Sequence, residues 1–217
     1  MALIRIINPN SNSKVTEAMS SALEPLRMQG GPRLHCVTLE QGPPGIESQA
    51  HVSQVEPLLA QRIQSDNEAD AFVIACYSDP GLHLCRELTT RPVLGIAECA
   101  ILTALTRGSS FGVISILHNS VARHKRHLRE RRLDHLCAGD RPLGLSVAQV
   151  ASGDDTYQRM LMVGTALRDE DGAEVIIMGC AGMARHREAL QDALGMPVID
   201  PAQAATSMAI GAVTLTR

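Results

Sequence analysis

Two of the six cysteines in this 217-residue chain occupy matching places, and they are the side chains best placed to do chemistry. Cys76 comes directly after the apolar run 71–75, and Cys180 comes just after the apolar run 175–178. A turn of small residues and a helical pattern follow each of them. In open α/β sheets ligands bind beyond the carboxyl ends of the strands, so a thiol placed there faces a crevice. The other four are expected to be small core hydrophobes, and they are Cys36, Cys85, Cys99 and Cys137.

The position of Cys76 and Cys180 predicts reactive thiols. A helix N-terminus offers free backbone N–H groups and a positive dipole end, which should lower a thiol pKa towards neutrality. Two thiols across one crevice suit proton transfer at a single carbon: a thiolate removes a proton from one face, and a thiol delivers one to the other. Backbone N–H groups around Gly81, Gly182 and Met183 are candidates for holding the oxygen of the enolate-like intermediate. The competing interpretation is that both are core thiols, which a single buried cysteine would favour.

Strand and helix patterns alternate along the whole chain, which predicts an α/β fold with a mostly parallel sheet. We expect Asp79 to be a helix N-cap followed by Pro80 at the first helical position, and Asp200 to cap the last helix. The predicted strands lie at 2–7, 34–39, 71–75, 93–96, 111–116, 143–150 and 175–178. The predicted helices lie after Ser11 or Asn12, around 52–63, and at 97–106, 119–132, 154–170, 183–194 and 201–214.

An internal echo supports a duplicated architecture. Residues 71–94 and 174–199 each read as an apolar strand, a cysteine, a small-residue turn, a helix, and then Pro-Val with a hydrophobic residue. Strand-turn-helix units look alike by chance, but a cysteine at the same strand end twice is harder to explain that way. We therefore predict that the chain arose by duplication of a half-domain.

Three motifs of the sequence resemble the hydantoin and allantoin racemase branch of the aspartate/glutamate racemase superfamily. They are NPNS at 8–11, ACYSDPGL at 75–82 and GCAGM at 179–183, in the same order and spacing over essentially the whole chain. The resemblance implies two α/β lobes related by a pseudo-two-fold axis, with the active site between them. We place the first lobe at residues 1–97 plus 204–217 and the second at 98–203.

The resemblance also implies site residues. It makes Cys76 and Cys180 the two acid/base groups of a racemase that needs no cofactor or metal. It implies substrate contacts at a set of polar and small residues, which comprises Asn10, Ser11, Ser78, Asp79, Gly81, Gly182 and Met183, with Ser115 and Ser120 matching polar positions of a second-lobe loop.

Departures from the family pattern leave the substrate open. Relatives commonly carry a Thr-Thr-Leu-Pro-Arg-like run where this chain has Ser115 to Asn119, so the arginine is missing and Ile116 replaces a hydroxyl. An amino-acid racemase of the Asp/Glu type and a maleate cis-trans isomerase remain as alternatives, and so does a ligand-binding protein without activity. Retention of both cysteines argues against arylmalonate decarboxylases, which keep only the second.

The sequence predicts a small-molecule substrate and further copies of the chain as binding partners, and neither nucleic acid nor a membrane. Aromatic residues make up only 2%, and Trp is absent, so modules that stack nucleic-acid bases are excluded. The N-terminus lacks the pattern of a signal peptide, and the apolar stretch 209–215 is too short to cross a bilayer. A cytoplasmic protein with reduced thiols is expected. The basic run RHKRHLRERR at 123–132 is interpreted as a solvated helix face or a subunit contact, in a chain of net charge −3.

Overall fold

The computed structural model describes residues 1–215 and contains two parallel four-stranded sheets flanked by helices. The first sheet has the order β2-β1-β3-β4, and the second has the order β6-β5-β7-β8. The second order is the first shifted by four strands, so the two halves share one topology, as the sequence echo predicts. The strands are β1 (Leu3–Asn8), β2 (Arg33–Thr38), β3 (Ala71–Ile74), β4 (Val93–Gly95), β5 (Phe111–Ser115), β6 (Cys137–Pro142), β7 (Val175–Met178) and β8 (Val198–Ile199).

The central strands β1, β3, β5 and β7 are buried along their whole length, which explains why they are mostly apolar. Strand β1 also buries Arg5 and Asn8. The helices around them are α1 (Ser13–Ala22), α2 (Gln49–Ser65), α3 (Leu82–Glu87), α4 (Ile96–Ala104), α5 (His118–Glu130), α6 (Val147–Ser152), α7 (Thr156–Asp169), α8 (Arg187–Leu194) and α9 (Pro201–Leu215). Short 3₁₀ helices lie at Glu24–Leu26, Asp134–Leu136 and Ala181–His186.

The two halves are joined through a shared hydrophobic core. Helix α9 packs against α4 and against strands β1, β3 and β4 of the first sheet, while α4 also packs on β7 of the second. One buried cluster runs from Ile4 in β1 to Ile176 in β7. The lobe boundaries at residues 97 and 204 stay a prediction. The last two residues of the predicted first lobe, 216 and 217, lie outside the described part of the chain.

The predicted strand at 143–150 is wrong. The strand of that region is β6, which ends at Pro142, and α6 begins at Val147. A capping box starts the helix: the Ser146 side chain accepts from the Gln149 N–H, and the Gln149 side chain accepts from the Ser146 N–H. The apolar residues of 143–150 fit either element, and the local cap decides for the helix.

The predicted cap at Asp79-Pro80 is also wrong. Helix α3 begins at Leu82 after Gly81, which has a φ of 64° in the left-handed region, and Asp79 itself has a φ of 42°. The Asp79 carboxylate instead accepts 2.9 Å hydrogen bonds from the backbone N–H groups of Ala97 and Glu98, in the first turn of α4. Asp79 therefore caps α4, which lies further along the chain, and not the helix that directly follows it. Within residues 1–215, no helix has both the length and the apolar character needed to cross a membrane.

Candidate active site

Both cysteines that the sequence singled out line one cavity at the carboxyl ends of β3 and β7. The cavity is narrow in this structure, with a volume of about 30 Å³. Its wall is formed by residues from both halves of the chain, which are Asn10, Val15, Ile46, Ala75, Cys76, Tyr77, Ser78, Ile116, Ser120, Arg123, His124, Val147, Gly179, Cys180 and Ala181. The two thiols are near enough that charge on Cys180 raises the pKa of Cys76.

The two thiols have the same local geometry. The backbone N–H of Ser78 donates to the Cys76 sulfur, and the N–H of Gly182 donates to the Cys180 sulfur. In each case the donor lies two residues after the cysteine, an arrangement that Cys137 shares with Gly139. A hydrogen bond of this kind favours the ionised form of a thiol.

The expectation of lowered thiol pKa values is not met. Burial raises the pKa of Cys76 to about 12 and that of Cys180 to about 11, and the hydrogen bonds from Ser78 and Gly182 offset only part of this effect. Asp79 raises the pKa of Cys76 further, while the Arg123 guanidinium lowers it. Burial also raises the pKa values of the other four cysteines. Position in the cavity, and not acidity, therefore distinguishes the pair.

The NPN segment after β1 presents Asn10 to the cavity. The Asn10 Oδ1 atom accepts from the Asn12 N–H at 3.0 Å and from the Asn8 Nδ2 at 3.2 Å, and the Asn8 amide is fixed in turn by Thr16. With its oxygen engaged in this way, the buried Asn10 side chain keeps its NH₂ group to offer a ligand.

Five of the eleven predicted site residues line the cavity, and six do not. Those on the wall are Asn10, Cys76, Ser78, Ser120 and Cys180. Those outside it are Ser11, Asp79, Gly81, Ser115, Gly182 and Met183. Gly182 still touches the site through its N–H to Cys180, but the N–H of Met183 donates to the Cys180 carbonyl oxygen at 3.1 Å. Gly81 lies against Glu56. The expected oxyanion donors are therefore committed to the thiols or to the backbone, or lie away from the cavity.

Ser115 belongs to a buried network beneath the cavity. Its hydroxyl donates to Asp140, and Asp140 Oδ2 lies 2.8 Å from His124 Nδ1. The His124 ring meets the Tyr77 ring edge-on, with the ring centroids 4.9 Å apart. Since His124 and Tyr77 both line the cavity, this network fixes the shape of its wall.

Sequence reasoning missed Arg123 and His124, because both belong to the basic run that was interpreted as a solvated or subunit-contact face. Both are buried, together with Ser120 and Leu128 on the same face of α5. Positions 120, 123, 124 and 128 have the spacing of one helix face. The spacing of these residues therefore indicated a buried helix face, but the positive charge of the run suggested an exposed one.

A second groove lies at the amino ends of β1 and β2, where Arg5, Arg33 and His35 form part of its wall. It contains no cysteine and lies at the opposite end of the sheet from the expected ligand edge. Among the described residues, no three His, Cys, Asp or Glu side chains are grouped so that they could hold a metal ion.

Known proteins that resemble this chain in sequence and fold include several racemases. Residues 4–209 match the family described as Asp/Glu/Hydantoin racemase. A hydantoin racemase from Paenarthrobacter aurescens is 36% identical over 98% of this chain and 91% of its own length. Another from Rhizobium meliloti is also 36% identical, over 95% of this chain and 86% of its own. An allantoin racemase structure from Klebsiella pneumoniae superposes with a TM-score of 0.92 at 29% identity, covering 100% of this chain and 89% of that one. The chain belongs to the Asp/Glu/hydantoin racemase family and is a racemase, an enzyme of the isomerase class.

Proposed function

We propose that this chain racemises 5-substituted hydantoins or allantoin, with Cys76 and Cys180 as its two acid/base groups and without a cofactor. The observation that carries the proposal is the placement of the two thiols. Each half of the chain contributes one thiol to the same cavity, and each sulfur accepts an N–H from the residue two positions later. The names of the relatives at 36% identity indicate the substrate class.

In the proposed mechanism, one sulfur is a thiolate and the other is a thiol when substrate binds. The thiolate takes the proton from C5, the C5–H electron pair moves into the adjacent carbonyl to give an enolate, and a new S–H bond forms. The opposite thiol then gives its proton to C5 on the other face, and the carbonyl is restored. The two sulfurs end with their protonation states exchanged, so the reverse direction uses the same groups in opposite roles.

The lining of the cavity favours a neutral, amide-bearing ring over a free amino acid. No Asp or Glu is among the described residues on its wall, so nothing there would pair with an ammonium group. The wall instead offers the hydroxyls of Ser78 and Ser120 and the amide of Asn10. These groups match the N–H and C=O edges of a hydantoin, whose ring carbon beside an amide carbonyl is also more acidic than the α-carbon of an amino-acid carboxylate.

The test uses single enantiomers of several hydantoins and of allantoin in deuterium oxide. Optical rotation reports racemisation, and NMR reports deuterium at the reacting carbon. The wild type is expected to do both. Cys76→Ser and Cys180→Ser should each abolish racemisation, and each should retain exchange with at most one enantiomer. Cys99→Ser, in the buried face of α4 outside the cavity, is the matched control and should racemise normally.

Two outcomes would contradict the proposal. Normal racemisation by both Cys76→Ser and Cys180→Ser would exclude the two-thiol mechanism. Turnover of maleate or of an amino acid, with no activity on any hydantoin or on allantoin, would move the substrate assignment to another member of the family.

We also propose that the enzyme acts in the cytoplasm as a homo-oligomer. All six cysteines are free thiols, which suits a reducing compartment. Leu84 of α3 and Leu88, the residue that caps the end of this helix, are exposed one turn apart, and a second copy would cover them. Gel filtration with light scattering would test self-association, and a monomer at micromolar concentration would refute it.

A further inference from the structure

Three backbone N–H groups near the thiols are already engaged and are not free to hold the enolate oxygen of the proposed reaction. The N–H groups of Ser78 and Gly182 are used by the two sulfurs, and the N–H of Met183 by a carbonyl. A negative charge that develops in a cavity with little water must be met by fixed positive charge or by oriented donors. The question is therefore which side chain on the wall can hold this oxygen.

Arg123 supplies the fixed positive charge of the wall. Of the described residues that line the cavity, it is the single Lys or Arg, and no carboxylate neutralises it there. Its guanidinium lies close enough to Cys76 to lower the pKa of that thiol. A cation so placed favours both the thiolate before proton transfer and the enolate after it.

The hydrogen bonds of Arg123 leave one buried donor unused. Its NH1 group donates to the backbone oxygens of Asn119 at 3.0 Å and Glu47 at 3.3 Å, and its NH2 group donates to Ser120 Oγ at 3.2 Å. Its Nε–H is buried and has no partner within the described chain. Buried N–H groups are almost always paired, so an unpaired one beside a cavity indicates an acceptor that enters the cavity. The Tyr77 hydroxyl on the same wall is buried and unpaired among the described residues as well, but it carries no charge.

A purely structural role does not explain this arrangement. Arg123 does bridge the two halves through Glu47, but Arg126, one turn further along α5, makes such a bridge as well. Its NH2 group donates to Gln49 Oε1 at 2.8 Å from an exposed position, and it does not line the cavity. Joining the halves therefore does not require a guanidinium to be buried with its Nε–H unpaired.

We propose that Arg123 is a catalytic residue whose guanidinium binds the substrate carbonyl oxygen on which negative charge develops when C5 loses its proton. This inference rests on the proposed function and deepens it, since it requires a substrate with a carbonyl directly beside the reacting carbon. The guanidinium binds more strongly as the C=O becomes an enolate, so it lowers the barrier in both directions equally.

The experiment compares Arg123→Met with Arg126→Met, because both remove one guanidinium of α5 that bridges the halves. Arg123→Met is expected to lower kcat for both enantiomers by about 100-fold or more, as the loss of an oxyanion donor does. Exchange into deuterium oxide should fall by the same factor from both enantiomers, unlike the one-sided exchange expected of the cysteine variants. Arg126→Met should keep wild-type kcat. Guanidinium ion added to Arg123→Ala should restore part of the lost rate.

If Arg123→Met does not fold, Arg123→Lys and Arg123→Gln decide the question. Both retain an N–H donor, but only lysine retains the charge, so kcat for the lysine variant should exceed that for the glutamine variant at least tenfold. Equal kcat values would overturn the inference, as would Arg123→Met with the kcat of Arg126→Met. These outcomes presuppose a wild type that racemises hydantoins. A wild type without that activity would instead refute the proposed function.

Discussion

The raised thiol pKa values lead to a specific dependence of rate on pH. The free enzyme needs one thiolate, but burial raises the pKa of Cys180 to about 11 and that of Cys76 to about 12. The charged groups near these two thiols do not lower their pKa values to near neutral pH. Arg123 lowers the pKa of Cys76, whereas Asp79 raises it, and Asp200 and Glu47 raise that of Cys180. The active form is therefore a minor species at neutral pH.

The magnitude follows from the definition of a pKa. A thiol with a pKa of about 11 is ionised in about one molecule in a thousand at pH 8, and each further pH unit increases that fraction about tenfold. We therefore expect kcat/KM to rise about 100-fold between pH 7 and pH 9, with a slope of about one in a logarithmic plot. Circular dichroism at subsaturating substrate measures the initial rate from one enantiomer. The uncatalysed rate at each pH is subtracted, and ionisation of the substrate is measured by absorbance and divided out.

A rate that is flat above pH 7 would refute this reasoning. It would show a thiolate already formed near neutrality, as the helix N-terminus alone was expected to produce. Arg123→Met provides an internal check. Loss of the guanidinium raises the pKa of Cys76, so a rising profile should persist, at lower rates throughout. A plateau that appears only in this variant would contradict the assignment of the guanidinium as the group that favours the thiolate.

Three further predictions concern stability. Asp66→Asn removes the buried carboxylate 2.7 Å from Arg5 and leaves only that of the exposed Glu68 at 3.6 Å, so we expect the free energy of unfolding in urea to fall by about 3 kcal/mol. Gly95→Ala would place a Cβ 2.3 Å from the Asp79 side chain, so calorimetry should show a loss of about 1–3 kcal/mol. Asp79→Ala removes the acceptor for two backbone N–H groups of α4 and should cost about 1 kcal/mol, with KM unchanged. A raised KM in that variant would show that Asp79 contacts substrate after all.

The buried Arg5–Asp66 pair also predicts the response to acid. Burial alone would raise the pKa of Asp66, but the hydrogen bonds from Arg5 and from the N–H groups of Ala69 and Glu68 outweigh it and hold the pKa at about 2. A carboxyl whose pKa is lower in the folded state stabilises the fold above its unfolded value of 3.8, and that contribution is lost as the pH falls towards 2. The loss approaches about 2.5 kcal/mol. Between pH 5 and pH 2.5 the linkage gives a loss of about 1.6 kcal/mol, which urea midpoints at the two pH values measure. In Asp66→Asn the difference between the midpoints should shrink.

The elements that the sequence predicted are those whose signals are local. The buried strands β3, β5 and β7 are continuous apolar runs, and Asn12 caps α1 by accepting from the Lys14 N–H at 3.1 Å. Strand β6 carries no such signal, because its residues are Cys-Ala-Gly-Asp-Arg-Pro at the edge of the second sheet. Its pairing with β5 defines it as a strand, and that contact is not visible in the segment itself.

The parts of the site that sequence reasoning could not place depend on distant contacts. Asp79 precedes a proline and looks like a local cap, but its carboxylate is used by α4, eighteen residues away at Ala97. The thiol pKa values depend on how deeply the cavity is enclosed by Ile46 and Val147 from opposite halves. Neither the enclosure of a cavity nor a long-range cap leaves a local pattern in the sequence. The buried strands that precede the two thiols do leave such a pattern.

The two halves of the molecule repeat the thiols but not the charge, and the proposed reaction needs both properties. Helices α1 and α5 follow equivalent strands, yet α1 contributes Val15 to the cavity and α5 contributes Arg123. A racemase must remove a proton from either face of one carbon, which requires matched groups on opposite sides. The same carbonyl must be held throughout, which requires a donor on one edge only. A duplicated fold supplies the matched thiols directly, and divergence between its copies at a single helix face then distinguishes one edge of the ring.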